Sequence, residues 1–362
     1  MNNLNDIVTV NVDIAQPAVD SASFDNLLIV GLPPVTPAGT LPDVGVYSDL
    51  SEVIADGYVA VGSDADPVGI AARIAFSQNP KPAKIFIAAM QETALDVLEA
   101  PTATLERALN TSGWYVICPA GIPETDYEDI AEWTEAQIKQ FAYTFLSGTD
   151  PVGSVYYRSH GWCGLVNDAD LPADVPASNA YLHCAIAAKA LAYPAGSETW
   201  AFKQLAAVYP SSLSGALKKS LTDGHSNYFA EYAGRNISMN GQVRGGEWID
   251  VIRGRDWLQN DMQLRIYNLL LMNPKIPYTN GGITLVQNEM IASLKAAQVR
   301  GIVAMNEYDG DGALIPGFTT RVPNSQDLTP TQKASRVLTG CRFSARLAGA
   351  IHAVRVDGAL TY

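Results

Sequence analysis

Histidine and cysteine residues stand close together at two places in the sequence, where they could bind a metal ion. His160 and Cys163 are separated by two residues, and His183 directly precedes Cys184. A structural zinc site needs four such ligands that converge on one point. No further His-x-x-Cys and no Cys-x-x-Cys pair is present to complete either set. We therefore expect no metal, and helix packing is the simpler interpretation of His183 and Cys184.

Three other patterns resemble binding or catalytic motifs but lack necessary parts. The loop after Val30 is rich in proline, which has no N–H to donate to a phosphate, and no Gly-Lys-Ser/Thr follows it. The Asp309-Gly-Asp-Gly-Ala sequence lacks the closing Glu of a calcium loop, so a hairpin turn is favoured. The acidic run from Glu124 to Asp129 opens a predicted helix, where negative charge is stabilised. The sequence thus predicts no cofactor and no catalytic residue.

Length and charge restrict the classes of protein that fit. The chain has 362 residues, of which 48% are hydrophobic and 17% charged, a balance typical of a folded globular protein. Its net charge of -13 opposes binding to nucleic acid and to anionic membranes. The first residues lack the basic and apolar parts of a signal peptide, so we expect a cytoplasmic product with reduced cysteines.

Strands and helices alternate from Asn26 to about Phe145, which predicts a layered α/β domain. An irregular stretch at 196–214, with four Ser and one Pro, separates this half from a second one. The fold class is therefore α/β with mixed α+β character. The second half is predicted to contain strands at 247–253, 301–305 and 317–322, long helices at 256–272 and 279–299, and a short helix at 329–338.

Both ends of the chain alternate apolar and polar residues, as a half-buried strand does. No turn connects either segment at once to a second strand, so each must pair with a sheet elsewhere, in its own chain or in another. The apolar positions are Val8, Val10, Val12 and Ile14 near the start and Ile351, Val354 and Val356 near the end.

A basic stretch precedes the end of this acidic chain. Between Pro330 and Val356 the sequence contains no Asp or Glu. Chance clustering and a surface that docks on an acidic partner are both compatible with this pattern. The basic residues are Lys333, Arg336, Arg342, Arg346 and Arg355.

A series of short segments in the second half occurs in an order that resembles the C-terminal half of the tail sheath proteins of contractile phages. Residues 7–32 are similar to the N-terminal arm and first strand of that family, whereas 35–200 match it only in α/β style. The segments that carry the resemblance are Asn227-Tyr228, Gly245–Asp250, Arg255–Leu258, Lys275–Ile283 and Phe343–His352.

The resemblance implies a two-domain sheath subunit with an arm at each end. Its parts would be an N-terminal arm at 1–24, a variable outer α/β domain at 25–200, a conserved inner domain at 201–348 and a C-terminal arm at 349–362. In this family the arms leave the subunit and add strands to the sheets of neighbouring copies, so the alternating residues at both ends are the predicted inter-subunit residues.

The resemblance further implies a structural protein and not an enzyme. Copies would form stacked six-fold rings around a tail tube protein and contract to drive the tube through a cell envelope. Other expected partners are the baseplate and tail terminator proteins, with no nucleic acid and no membrane. The location would be the virion tail after assembly in the host cytoplasm.

Two alternatives stay open at this point. The sheath of a headless R-type bacteriocin or of another contractile injection system fits equally well, and a soluble α/β enzyme or ligand-binding protein is the more distant alternative. Lys333 and Arg336, one turn apart on the predicted short helix, are the candidate tube-facing residues. Ion pairs within the sheath explain these two residues equally well.

Overall fold

A computed structural model of the chain describes residues 23–95, 97–166 and 175–359. This part of the chain folds into 14 strands and ten helices. The strands are β1 (Leu27–Gly31), β2 (Gly45–Tyr47), β3 (Ile85–Ala89), β4 (Glu92–Ala94), β5 (Val97–Leu98), β6 (Val116–Ala120), β7 (Gln140–Phe145), β8 (Ser159–Cys163), β9 (Asn227–Tyr232), β10 (Arg235–Met239), β11 (Glu307–Tyr308), β12 (Leu314–Ile315), β13 (Phe318–Arg321) and β14 (Arg342–Ala345). The helices are α1 (Leu50–Ala55), α2 (Pro67–Phe76), α3 (Pro101–Ala108), α4 (Tyr127–Glu135), α5 (Val175–Asn179), α6 (Leu182–Leu191), α7 (Gly215–Asp223), α8 (Ile249–Met272), α9 (Asn280–Arg300) and α10 (Pro330–Ala334).

An eight-stranded mixed sheet with the order β10-β9-β8-β7-β6-β1-β3-β2 forms the centre of the fold. The six inner strands are parallel, and an antiparallel strand closes each edge. β1 lies in the middle and all five of its residues are buried, as expected for a parallel strand covered on both faces. The predicted α/β fold class is confirmed.

Helices cover both faces of the sheet and produce two apolar cores. Alternate residues of β1 face opposite sides, so Leu27 and Ile29 pack with α2 and α6, whereas Leu28 and Val30 pack with α3 and α4. The sheet includes β9 and β10, which lie beyond residue 200, where the sequence analysis divided the outer from the inner domain. The four-part division therefore stays a prediction.

The C-terminal region, residues 249–359, is built on an α8–α9 helical hairpin. Thr279 caps the start of α9 by accepting a hydrogen bond from the Gly282 N–H, and Gly301 ends the helix in the left-handed conformation, with φ of 82°. The two-stranded antiparallel sheet β13–β14 packs on α9, and Phe318 and Ala345 contact a small core of Ala297, Ile302 and Val303.

Two strand predictions in this region are wrong. Residues 247–253 were predicted as a strand, but Ile249 begins α8, because Ile249, Ile252 and Asp256 follow the three-to-four residue spacing of one buried helix face. Residues 301–305 make only one isolated bridge, between Val303 and Leu347.

Two further predictions in the C-terminal region are confirmed. The predicted strand at 317–322 contains β13. The Asp309 sequence forms the predicted hairpin turn between β11 and β12, where its carboxylate accepts hydrogen bonds from the Asp311 and Ala313 N–H groups.

Within the described ranges, every helix falls short of the length or the hydropathy that a membrane-spanning helix requires.

Candidate subunit interface

Arg253 anchors Phe24 and Asp25, near the start of the described residues. Its fully buried guanidinium donates to the main-chain carbonyls of Phe24, Ala190 and Tyr193 and to the carboxylates of Glu198 and Asp25. These bonds use all five N–H donors of the side chain. Glu198 is equally buried, at an Nη1–Oε1 distance of 2.5 Å. Residues 24 and 25 are therefore attached to α8 and, through it, to the segment after α6.

A second buried ion pair, of opposite polarity, holds the next turn of α8. Here the helix supplies the carboxylate, and Asp256 accepts two bonds from the Arg158 guanidinium at 2.6 and 3.1 Å and one from the Tyr115 hydroxyl at 2.8 Å. Asp256 is fully buried. Removing one partner of such a pair leaves an uncompensated charge inside the protein. The first part of α8 is thus rigidly attached to the part of the chain that precedes it, residues 23–248, which we call the body.

The β13–β14 sheet has free hydrogen-bonding groups along both outer edges. Among the described residues it has two strands only, so each strand pairs on one side. Such open edges can accept a further strand from another chain. Short exposed strands and charged side chains limit unwanted pairing here, since Arg321 and Arg342 end the two strands.

An apolar groove of about 390 Å³ lies between α8 and β14. It is lined by Leu258, Met262 and Ile266, which lie four residues apart on one side of α8, and by Phe343 of β14. Phe343 is exposed although it is a large apolar side chain. The groove therefore presents hydrophobic surface next to a strand that has an unpaired edge.

The C-terminal segment leaves the folded chain at Gly349. Before it, the Ala348 N–H donates to the Ile302 carbonyl at 3.1 Å, and beyond it His352 Nε2 lies 2.8 Å from the Thr199 hydroxyl and packs edge-on against Trp248. Burial, assisted by the Lys203 charge, lowers the pKa of His352. Ala348 and His352 are therefore both held on the rest of the chain.

The side chains predicted to form the C-terminal arm strand are strongly exposed. Residues 350–359 form no strand in the single chain, and the exposed fractions of Ile351, Val354 and Val356 are 83, 78 and 85%. Three apolar side chains in water are consistent with a segment that pairs with another copy, and this pairing stays a prediction. Val8, Val10, Val12 and Ile14 lie outside the described residues.

Asp250 lies beside the root of the C-terminal segment. It lines a cavity of about 220 Å³, together with residues 196–199, 301–302 and 349–350. Its Oδ1 atom is buried and has no hydrogen-bond partner among the described residues. Burial, followed by the negative charges of Glu198 and Glu247, raises the pKa of Asp250 to about 6. The carboxylate is thus a local source of instability at neutral pH.

The two candidate tube-facing residues are not on one helix, so that part of the prediction is wrong. α10 ends at Ala334, and Arg336 lies beyond it with a positive φ of 57°, because the chain turns after a helix of only five residues. Lys333 is half-buried and Arg336 is exposed. Neither forms an ion pair within the described ranges, and their contact with a tube stays a prediction.

Cys118, His183 and Cys184 converge, although the sequence analysis did not group Cys118 with the other two. Their ligand atoms lie within 4.8 Å of one another, at the contact of β6 with α6. His183 is not available for a metal, because its Nδ1 lies 2.8 Å from the Thr144 hydroxyl and its Nε2 3.0 Å from the Pro119 carbonyl. Burial lowers the pKa of this neutral histidine to about 3. The cluster is part of the core, as expected for residues of α6.

The residues that sequence reasoning missed are the buried charges at the start of α8. Asp256 stands in a segment that carries the family resemblance and Arg253 lies just before that segment, but their partners Arg158 and Glu198 are about 100 and 55 residues away. The available signal was that Arg253 and Asp256 follow the same three-to-four residue spacing as Ile249 and Ile252. This spacing was not recognised because the segment was predicted to be a strand.

The comparisons with known proteins agree with this geometry. Residues 249–359 match the model of the family described as E217 tail sheath protein gp31-like, C-terminal domain. This confirms the resemblance to tail sheath proteins in the region that contains α8, α9 and the β13–β14 sheet. No curated protein sequence matches the chain.

Solved structures share the fold over almost the whole chain. A chain of the anti-feeding prophage baseplate, 6-fold symmetrised, is 15% identical and has a TM-score of 0.69 over 98% of this chain and 100% of its own. The contracted sheath complex of the extracellular injection system PVC gives 10% identity and 0.67 over 97 and 98%. The sheath tail protein from Desulfitobacterium hafniense gives 10% and 0.54 over 87 and 93%.

Proposed function

We propose that the chain is the structural subunit of a contractile sheath, in which copies polymerise around an inner tube and contract to drive that tube through a cell envelope. The observation that carries the proposal is the open-edged β13–β14 sheet, in the region that matches the tail sheath family, in a chain with a strand-patterned segment at each end. Strand addition supplies main-chain hydrogen bonds for a strong and repeatable contact.

The proposed subunit moves as a rigid body between flexible connections. The buried pairs of Arg253 with Glu198 and of Asp256 with Arg158 hold α8 on the body, so a force on the C-terminal region is transmitted to the whole subunit. The C-terminal segment, in contrast, has exposed apolar side chains and turns at Gly349, where φ is 65°. Copies can then rotate and slide during contraction without losing their strand pairing.

The tube is proposed to lie against the basic part of the subunit. Residues 249–359 contain twelve Lys and Arg against nine Asp and Glu, a net charge of +3, whereas residues 1–248 contain twelve against 28, a net charge of -16. Lys333 and Arg336 stay the candidate contacts with an acidic tube, and screened surface pairs of this kind are weak enough to break on firing.

The same proposal includes the other predicted partners and locations. We expect rings of six copies, a baseplate at one end and a tail terminator protein at the other, in a particle that assembles in the host cytoplasm. Because the similar chains of the anti-feeding prophage and of PVC come from injection particles, the sheath of a headless particle is the second candidate. Capsid genes beside this gene would favour a phage tail.

Electron microscopy of the purified chain tests the proposal. We expect long hollow cylinders with a helical surface lattice, because both arms and their acceptor sheet are present in every copy. A uniform population of small discrete particles at high protein concentration would contradict the proposal and favour a soluble α/β enzyme or binding protein.

A further inference from the structure

Three side chains hold His352 on the body. The imidazole contacts the rings of Trp248 and Phe202 edge-on, with ring centroids 4.5 and 5.5 Å apart. Its Nε2 atom lies 2.8 Å from the Thr199 hydroxyl. Of residues 350–359, His352 alone is not exposed. Thr199, Phe202 and Trp248, which we call the His352 clamp, therefore fix the C-terminal segment at one side chain.

Two members of the clamp belong to a short strip, residues 199–203, that runs along the outer edge of β10. The Phe202 N–H donates to the Ser238 carbonyl at 2.7 Å, and the Ser238 N–H donates to the Lys203 carbonyl at 2.9 Å. Phe202 has a positive φ of 60°, which strains a residue with a large side chain, and it is exposed. The strip thus holds a strained aromatic residue at the surface, where its ring meets His352.

A carboxylate beside the segment opposes its docking. Gly349 and Ala350 line the cavity of about 220 Å³ together with Asp250, whose buried Oδ1 atom has no hydrogen-bond partner among the described residues. Burial raises the pKa of Asp250 to about 6, so the group is charged at neutral pH. Withdrawal of the segment would open the cavity to water, which solvates this charge. Ionised Asp250 therefore favours release of the segment.

Protonation of His352 opposes docking as well. Burial, followed by the positive charge of Lys203, lowers the pKa of the docked imidazole below the ordinary value of 6.5. The docked state therefore binds this proton less tightly than a released segment, and acid favours release through His352. Through Asp250 the sign is reversed, because the docked state binds that proton more tightly. Among the described residues, further charged groups near the clamp and the cavity are Glu198, Glu247 and Arg253.

We propose that residues 349–352 form a reversible latch, in which neutral His352 docks in its clamp, Gly349 is the pivot, and the Asp250 carboxylate favours opening. The two titrating groups change the docked population in opposite directions as the pH falls, so their contributions offset each other in the unchanged chain. Docking then stays nearly constant over a range of pH in which either group alone would alter it. The latch is a property of the single chain and does not depend on the proposed function.

Trypsin cleavage after Arg355 measures the released population, because the protease must bind extended residues on both sides of the bond. The rate for the full chain, at a concentration at which it is monomeric, is divided by the rate for a free peptide of residues 349–362. Phe202→Asn removes the ring, and Asn tolerates the left-handed backbone, so this relative rate should rise about fivefold. The control Tyr209→Asn removes a similarly exposed ring outside the clamp and should leave the rate unchanged. Equal rates for Phe202→Asn and the unchanged chain would overturn the proposal.

The same assay at pH 8 and pH 5.5, with a matching peptide for each variant, separates the two groups. In Asp250→Asn, acidification should raise the relative rate by up to about tenfold, as His352 gains its proton. In His352→Gln, which can still hydrogen-bond to Thr199, acidification should lower the relative rate by about fourfold, as Asp250 becomes neutral.

The unchanged chain should vary less with pH than either variant. The same direction of change in both variants would overturn the proposed latch, and circular dichroism verifies that each variant is folded. Because the assay uses the unassembled chain, such a failure would leave the proposed sheath function intact. Failure of the unchanged chain to polymerise would contradict that function and leave the latch intact.

Discussion

The body, residues 23–248, and the C-terminal region, 249–359, treat apolar side chains in opposite ways. The body encloses its sheet between two layers of helices, and its large residues, such as Trp114 and Trp162, are fully buried. The C-terminal region has a small core around Ile302 and Val303 and exposes large apolar residues along its helices, its short strands and its final segment. Exposed hydrophobic surface of this extent is typical of an interaction site.

Charge separates the same two regions. The chain up to residue 248 has a net charge of -16, from twelve basic and 28 acidic residues, and residues 249–359 have +3, from twelve and nine. The acidic part thus contains the two enclosed cores, while the basic part has the smaller core. We infer that stability and assembly can be altered separately by substitutions in the two regions.

The largest expected effect on the free energy of unfolding comes from breaking the ion pair of Arg253 with Glu198, which attaches α8 to the body. Arg253→Met should lower the free energy of unfolding by about 3–5 kcal/mol, because Glu198 stays buried without a partner. The control Arg346→Met removes the exposed pair with Glu307 and should cost at most about 1 kcal/mol. Urea unfolding followed by circular dichroism measures both; equal losses would show that the buried pair does not fasten α8.

Acid should destabilise the body more than the C-terminal region. Burial lowers the pKa of His160 and of His183 to about 3, below the ordinary histidine value of 6.5, so the folded state binds fewer protons than the unfolded state. Their contribution is fully present above pH 6.5 and is lost as the pH falls toward 3. At pH 5 each histidine should reduce stability by about 2 kcal/mol relative to pH 7.5.

Unfolding at several pH values tests this contribution. His183→Gln should reduce the dependence of the unfolding free energy on pH between 6.5 and 5, whatever its effect at pH 7.5. His225→Gln is the matched control, since His225 is half-exposed whereas His183 is fully buried. An unaltered pH dependence in His183→Gln would contradict a neutral buried imidazole.

Asp250 should show a smaller effect of opposite sign. Its pKa is raised by burial to about 6, so the folded state binds the extra proton, and stability is present at low pH and lost as the pH rises through 6. Asp250→Asn should stabilise the chain by about 1–2 kcal/mol at pH 8 and have little effect at pH 4. Thermal unfolding at the two pH values measures this difference, and equal shifts at both would refute it.

We expect the smallest effect on stability, together with a large effect on assembly, from a substitution in the predicted C-terminal arm strand. Val354→Ser, in the predicted arm strand, should alter the free energy of unfolding by less than about 0.5 kcal/mol, since the side chain is 78% exposed. It should nevertheless weaken polymerisation. Val35→Ser, at a position that is 96% exposed on the body, should alter neither property. Light scattering of both variants decides whether the exposed apolar residues of the arm differ from those of the body.

The sequence predicted the body better than the C-terminal region. The alternation of strands and helices from Asn26 to Phe145 is determined by local residue order, and it is present as predicted, with β1 and α2 as examples. The start of α8 was wrong because its buried face consists of Arg253 and Asp256 as much as of apolar residues, and charged residues are interpreted as exposed unless their distant partners are known. The placement of Arg336 on the same helix as Lys333 was wrong because a helix of five residues is too short to show a periodic pattern.

The candidate interface was predictable in type but not in position. The alternation of Val8 to Ile14 and of Val354 and Val356 indicates strands that lack a partner within reach of a turn. The acceptor edge at β14 and the groove on α8 depend on residues up to about 85 positions apart, so no local pattern specifies them. The position of Arg321 directly opposite Arg342 can be recognised only when the register of β13 and β14 is known.

Removal of the N-terminal segment tests most directly whether copies join through their arms. A chain lacking Met1–Gln16 retains Phe24 and Asp25 at the Arg253 anchor, so its unfolding should equal that of the full chain within about 1 kcal/mol. Sedimentation velocity under conditions in which the full chain forms cylinders should show only monomers of the shortened chain. Cylinders formed by the shortened chain, at the same protein concentration, would contradict the account.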